Sequence, residues 1–209
     1  MTEHDHDHPG RQPDLEDLPY TRLMALTEAV TDLLLAKGLF TAGELRQALE
    51  TIDSRSPADG ARLVARAWVD DAFCTRVLAD VNAAAAELGL DAGGIPIRAV
   101  ANDASTHNVI VCTLCSCYPR LLLGPSPDWY KARAYRSRVV REPRSVLAEF
   151  GLELPAGKSV VVHDSTAELR YVVLPERPAG TGGWSEAELA AIVTRDCLIG
   201  TAVPKVPAA

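Results

Sequence analysis

The 209-residue chain has no apolar run approaching the ~20 residues that a bilayer span requires. Its opening, Met1-Thr-Glu-His-Asp-His-Asp-His8, contains no apolar signal core. Both absences read as a cytoplasmic chain that does not cross a membrane. An excess of positive charge is missing too, because 28 acidic residues against 21 basic ones leave a formal charge of −7. Non-specific nucleic-acid binding needs a positive surface to neutralise phosphates, so this balance argues against it. A disulfide framework is also lacking: five cysteines is an odd number, and three of them fall within six residues. No internal repeat is found. What the chain does have is 47% apolar and 23% charged residues, enough to bury a sizeable core as one large domain or a domain plus an arm.

Three segments follow from the patterning. Residues 1–17 are polar, contain Pro9, Gly10 and Pro13, and read as a flexible tail. In it His4, His6 and His8 alternate with Asp5 and Asp7, a solvated low-complexity stretch or a weak metal-capturing one. Residues 18–94 read as a helical arm. Leu23, Leu26, Val30, Leu33 and Leu34 recur at helical spacing, and Gly38 stands at a C-cap position. Thr41 and Glu44 form a capping-box signature for a second helix to about residue 52. Pro57 opens a third helix, and a fourth spans about 72–88. The apolar faces of these helices need cover from the rest of the chain or from a partner.

Residues 95–209 read as an α+β domain. Short β-branched runs at 97–101, 108–112, 159–163 and 169–174 predict strands, the last two paired through a hairpin-like connection at 164–167. The prolines at 119, 125 and 127 predict irregular chain. Residues 143–150 form a short helix, and the Ser185/Glu188 capping box opens another to about 194.

The chemistry concentrates in Val109-Ile-Val-Cys112-Thr-Leu-Cys115-Ser-Cys117-Tyr-Pro119. A strand delivers Cys112, and a tight loop carries Cys115 and Cys117. A CxxC spacing lets two thiolates face one ion, and the added CxC brings a third sulfur with intervening backbone nitrogens nearby. Three soft ligands favour a transition metal over Mg²⁺ or Ca²⁺. On spacing alone, zinc with a fourth ligand from His107, Cys74 or Cys197 fits as well, although zinc knots usually arrive as two separated cysteine pairs.

The hexapeptide Cys112-Thr-Leu-Cys115-Ser-Cys117 resembles the metal-binding signature of nitrile hydratase alpha subunits and of their relative, the thiocyanate hydrolase gamma subunit. The likeness extends over about residues 20–204, through Ala65-Arg-Ala-Trp68-Val-Asp70, Trp129-Tyr-Lys131, Arg138-Val-Val-Arg141-Glu-Pro-Arg144, Leu174-Pro-Glu-Arg177-Pro-Ala-Gly180, Gly183-Trp-Ser-Glu186 and Thr194-Arg-Asp196. It implies the alpha-chain fold, a helical arm followed by a layered α-β-β-α domain with mixed sheets. It also implies a low-spin trivalent ion held by the sulfurs of Cys112, Cys115 and Cys117 and by the amide nitrogens of Ser116 and Cys117. Cys112 is then the axial ligand, Cys115 becomes a sulfinic acid and Cys117 a sulfenic acid. Thr113 at the second position resembles the cobalt type, which puts Co(III) ahead of Fe(III). Such an ion is a Lewis acid for a nitrile and for water, and Cys117 and Cys115 stand beside the reacting groups. Asp164 and Glu168 match family acids that support the site through hydrogen bonds; otherwise Asp164 caps a turn and Glu168 is solvated. Arg170 is expected to pair with one of them or with a partner's acid.

The resemblance further implies a beta-type partner subunit whose arginines hold the oxidised sulfurs, a small-molecule nitrile as substrate, and an activator or metallochaperone for loading. Two departures bear on substrate. Where many alpha chains have Thr-Pro-Trp-Pro after the third cysteine, this chain has Tyr118-Pro-Arg-Leu121, closer to the thiocyanate hydrolase gamma subunit. A glutamine common in nitrile hydratases falls near Gly93 or Gly94, where this chain has none. The expected function is therefore the metal-binding subunit of a cobalt nitrile hydratase. The alternatives are a thiocyanate hydrolase gamma-type subunit, whose substrate anion suits a guanidinium at Arg120, and a non-enzymatic zinc-binding or metal-carrier module.

Overall fold

The computed structural model describes residues 21–207. The His4/His6/His8 stretch and the rest of the expected tail lie outside the described residues. The chain divides into two compact units, Met1–Leu49 and Glu50–Ala209.

In the first unit, helix α1 (Arg22–Ala36) starts on Thr21, whose hydroxyl accepts from the Met24 N–H, and ends before Gly38 at φ +67°. None of its residues is buried, and the apolar series at Leu23, Leu26, Val30 and Leu33 stays open. Helix α2 (Ala42–Ser54) begins with the expected capping box: the Glu44 N–H donates to Thr41 Oγ1, and the Thr41 N–H donates to the Glu44 carboxylate at 2.7 Å.

The second unit holds the core. Helix α3 (Ala58–Val69) buries Leu63, Val64 and Ala67 on one face. The expected helix over 72–88 is two, α4 (Asp71–Ala79) and α5 (Val81–Glu87). The break is Asp80, extended at φ −157°, whose side chain caps α5 by accepting from the Ala83 N–H. These helices share one apolar core with the strands, so the segment from Glu50 to Gly94 folds in the same unit as the sheets.

Strands β1 (Ile97–Ala101) and β2 (Thr106–Val111) are joined by a tight turn in which Asp103 accepts from the N–H groups of Ser105 and Thr106. Short helices α6 (Arg120–Leu123), α7 (Asp128–Lys131) and α8 (Arg133–Arg138) occupy the proline-rich stretch expected to be irregular. Helix α9 (Pro143–Glu149), strands β3 (Ser159–Asp164) and β4 (Arg170–Leu174), and helices α10 (Glu186–Ala191) and α11 (Arg195–Ile199) complete the unit.

Strand pairing corrects the sequence reading. β3 and β4 do not form a hairpin: β3 pairs with β2 and β4 pairs with β1, and both ladders are parallel. The α+β class stands, with parallel ladders in place of mixed sheets. Each of β3 and β4 reaches its neighbour after a long helical excursion, as parallel pairing requires. Burial explains the choice, because β2 is enclosed along almost its whole length, and its second half, Val109–Val111, and that of β4, Val172–Leu174, are buried apolar runs.

A polar network joins these strands. The Asn102 amide donates to His107 Nδ1, and His107 Nε2 donates to the Gly200 carbonyl at 2.7 Å. Asn108 donates to the Ala101 carbonyl and accepts from His163 Nε2 at 2.8 Å. Burial pushes both imidazoles below the ordinary histidine range, so the network is built for neutral rings. Trp68 bridges α3 to the end of β4 through Nε1–H to the Pro175 carbonyl.

Gly200 ends α11 at φ +92°, and a Cβ there would stand 2.1 Å from the Asn108 carbonyl oxygen. Gly200→Ala is therefore expected to lower the thermal midpoint by roughly 5 °C or more, from about 2 kcal/mol or more of backbone strain and clash. Gly151→Ala, at φ +78° with open space around it, should cost only about 1 kcal/mol of left-handed strain; equal losses in a thermal melt would contradict the close approach.

Candidate metal centre

The parallel register of β2 and β3 sets Val111 opposite Asp164. The ladder ends one step later, where the Ser165 N–H donates to the Val111 carbonyl. Cys112 thus leaves the sheet buried, and the next five residues turn outward: Cys117 is half-buried and Cys115 exposed. The three sulfurs converge, with Cys112 Sγ to Cys115 Sγ at 3.4 Å, Cys115 Sγ to Cys117 Sγ at 3.2 Å, and all three within 4.8 Å of one another.

The loop is held on three sides. Asp164 accepts from the Thr113 N–H at 2.9 Å and from the Thr113 hydroxyl at 2.6 Å. Arg136 donates from Nη1 to the Thr113 carbonyl at 3.0 Å. The buried Tyr130 hydroxyl donates to the Cys117 carbonyl at 2.9 Å, closing the far end. Below it Tyr135 donates to the Ile110 carbonyl on β2. Tyr118, Trp129, Tyr130, Tyr135 and Phe150 stack edge to face beneath the loop, so its floor is rigid.

Electrostatics separate the thiols. Cys115 is brought down to about 7, chiefly by the Cys117 thiol, then by Cys112 and by the Ser116 N–H. Burial, followed by the Cys115 thiolate, pushes Cys117 up to about 12, while the Arg170 charge favours its ionised form. One negative charge thus sits readily on the cluster at neutral pH and further ones need a cation beside them.

The donor set fits a transition ion. With neighbouring sulfurs 3.2 and 3.4 Å apart, the three stand close enough to share one ion. The fourth ligands considered for zinc lie elsewhere. His107 is committed to Asn102 and Gly200, Cys197 lies against the Thr194 hydroxyl, and Cys74 is half-buried on α4. Among the described residues no other histidine, cysteine or carboxylate joins the three sulfurs.

Of the residues singled out from sequence, Cys112, Cys115, Ser116, Cys117 and Asp164 come together. Glu168 does not: it lies exposed in the 165–169 turn, where its own N–H donates to Thr166 Oγ1, and its carboxylate makes no hydrogen bond or ion pair among the described residues. Arg170 forms no ion pair with Asp164 or Glu168 among the described residues. Its Nη1 is buried without a hydrogen-bond partner, as is the Tyr118 hydroxyl. Both side chains line a cleft of about 190 Å³ with Gly93, Ile97, Arg120 and Leu121. Sequence reasoning missed Arg136 and Tyr130 as loop-holding groups. Only the Trp129-Tyr-Lys131 run hinted at the second, and nothing local marks the first.

Asp164→Asn should slow any turnover at this centre by roughly tenfold or more with the metal retained, since an amide offers one oxygen where the carboxylate uses two to accept from Thr113. Metal analysis beside turnover checks this, and unchanged kinetics would return Asp164 to a simple turn cap.

A family model described as "Nitrile hydratase, alpha chain" matches residues 21–202. The high-molecular-weight cobalt-containing nitrile hydratase subunit alpha of Rhodococcus rhodochrous is 48% identical over 185 residues, covering 87% of this chain and 91% of that one. The thiocyanate hydrolase subunit gamma of Thiobacillus thioparus is 45% identical over 192 residues, covering 86% and 79%. A double mutant of the Fe-type nitrile hydratase from Comamonas testosteroni Ni1 superposes with a TM-score of 0.83 at 39% identity, covering 90% of this chain and 95% of that one.

Proposed function

This chain belongs to the nitrile hydratase alpha-chain family, and from that premise we propose that it is the metal-binding subunit of a cobalt nitrile hydratase, hydrating a nitrile to its amide. The observation that carries the reading is the convergence of the Cys112, Cys115 and Cys117 sulfurs on one short loop. Cys112, Cys115 and Cys117 would hold the ion through sulfur, and Ser116 and Cys117 through their amide nitrogens. Cobalt is assigned ahead of iron on Thr113 at the second loop position and on the cobalt-containing relative. A trivalent ion held there supplies Lewis acidity, polarising the nitrile and lowering the pKa of water.

The chain's own residues do the rest. Asp164 and Arg136 fix the start of the loop and Tyr130 its end, so the sulfurs are set before substrate arrives. Cys115 and Cys117 are the sulfurs assigned to oxidation, Cys115 to the sulfinic and Cys117 to the sulfenic state. An oxygen carried by Cys117 would supply a nucleophile or base for the substrate carbon or its attacking water. The charge of Arg170 favours an anionic Cys117. Glu168 is left to support the site from the exposed turn once a partner covers it.

A beta-type partner is part of this reading. The open apolar series of α1 gives it a surface to cover, and its arginines would complete the charge around the oxidised sulfurs.

A second reading, a thiocyanate hydrolase gamma-type subunit, rests on a separate observation: the cleft that Tyr118 lines, next in sequence to Cys117, is also lined by two arginines, Arg120 and Arg170, a lining suited to a small anion. The cobalt-loaded complex offered a nitrile and thiocyanate in parallel separates the two. Amide without carbonyl sulfide is the expected product, and carbonyl sulfide with ammonia would move the chain to the second reading.

Cys115→Ala removes the middle sulfur of the three and is expected to abolish trivalent cobalt binding. Cobalt retained at full occupancy with full turnover would sink the site assignment.

A further inference from the structure

Resting on the reading of the cysteine loop as a metal centre, we propose that Arg136 is a positioning residue that works with Asp164 as a two-sided clamp on Thr113 and so sets the geometry of the three sulfurs.

Thr113 is the only residue between the buried Cys112 and the exposed turn at Leu114, and all of its polar groups are taken. The carboxylate of Asp164, from the end of β3, receives its N–H and hydroxyl. The guanidinium of Arg136, from α8, reaches its carbonyl from the other side. A negative group thus sits on the donors of this residue and a positive group on its acceptor, each matching the dipole of the peptide that it touches. These are bonds across 51 and 23 residues of sequence, so the loop is tied to two elements that pack independently of it.

Arg136 is committed to this task. It is half-buried, makes no ion pair among the described residues, and donates from Nε to the Lys131 carbonyl at 3.0 Å. A guanidinium can span the Lys131 and Thr113 carbonyls at once because its donors are rigidly splayed. An ammonium, as a single point charge, satisfies one carbonyl well at a time. Without Arg136, the Thr113–Leu114 peptide is free to rotate while Asp164 still grips the preceding one. Leu114, 87% exposed, has no packing to restrain that motion. The rotation swings Cys115 away from Cys112, opening the 3.4 Å approach of their sulfurs.

The test uses the full chain and two readouts that do not depend on turnover. In the first, Co²⁺ is titrated into the reduced chain under anaerobic conditions and followed by its sulfur-to-cobalt charge-transfer absorption. In the second, backbone hydrogen exchange is measured on the metal-free chain. Arg136→Met is expected to weaken Co²⁺ binding about 10-fold or more, the range typical for groups that orient metal ligands. Exchange should accelerate at Leu114–Cys117 peptide groups, residues 114–117, while core amides at Val139 and Val146 stay unchanged. Arg136→Lys should recover part of both losses, and it keeps the positive charge should the Met variant fold poorly. Affinity and loop exchange unchanged in both variants would overturn the clamp. Fast exchange with no cobalt binding by the unmodified chain would uphold the clamp and refute the metal reading, so the two failures are distinguishable.

Discussion

The parallel register of β2 against β3 is the constraint on which the site depends. It places Val111 opposite Asp164, and so brings a carboxylate from one half of the domain to the residue that follows the buried Cys112. Shifting β3 by one residue would turn Asp164 to the opposite face and put His163 in its place. The register is secured below by apolar packing of Val109, Ile110 and Val111 and by the His163–Asn108 hydrogen bond. It is continued above by the Ser165–Val111 backbone bond. The loop therefore begins from a fixed point, and its short span leaves little freedom to the two sulfurs that follow.

The second contribution is the aromatic floor. Tyr130 and Tyr135 are buried with their hydroxyls bonded to main-chain carbonyls at the two ends of the segment, Cys117 and Ile110. Ring stacking supplies stiffness, and the hydroxyls supply direction. A loop of three cysteines would otherwise be free to collapse into a disulfide or to splay into solvent. In this frame the three thiols stand free and close enough to share one ion. The cleft on the Arg170 side is where substrate would meet that frame in the proposed reading.

Histidine burial has a consequence for the whole domain. His107 and His163 hold fewer protons in the folded than in the unfolded chain, since burial lowers both. Their contribution to stability is complete above the ordinary histidine value of about 6.5 and declines as pH falls from there toward the folded values. The network joining β1, β2, β3 and the turn at Gly200 thus favours neutral to alkaline conditions, the same range in which the Cys115 thiol ionises.

The sequence by itself determined the local chemistry: the three soft ligands in six residues, the capping boxes at Thr41 and Ser185, the strand positions, and the family through the resemblance of the hexapeptide and the motifs around it. Such features are legible because they are set by neighbours within a few residues. Only the tertiary structure decided which strands pair, because β3 and β4 carry turn-like chain between them, and the burial that favours parallel ladders comes from helices far away in sequence. The same holds for the Arg136 and Tyr130 contacts and for the division between Asp164, which reaches the loop, and Glu168, four residues on, which does not. Those outcomes follow from long-range register, and no periodicity or local spacing encodes it.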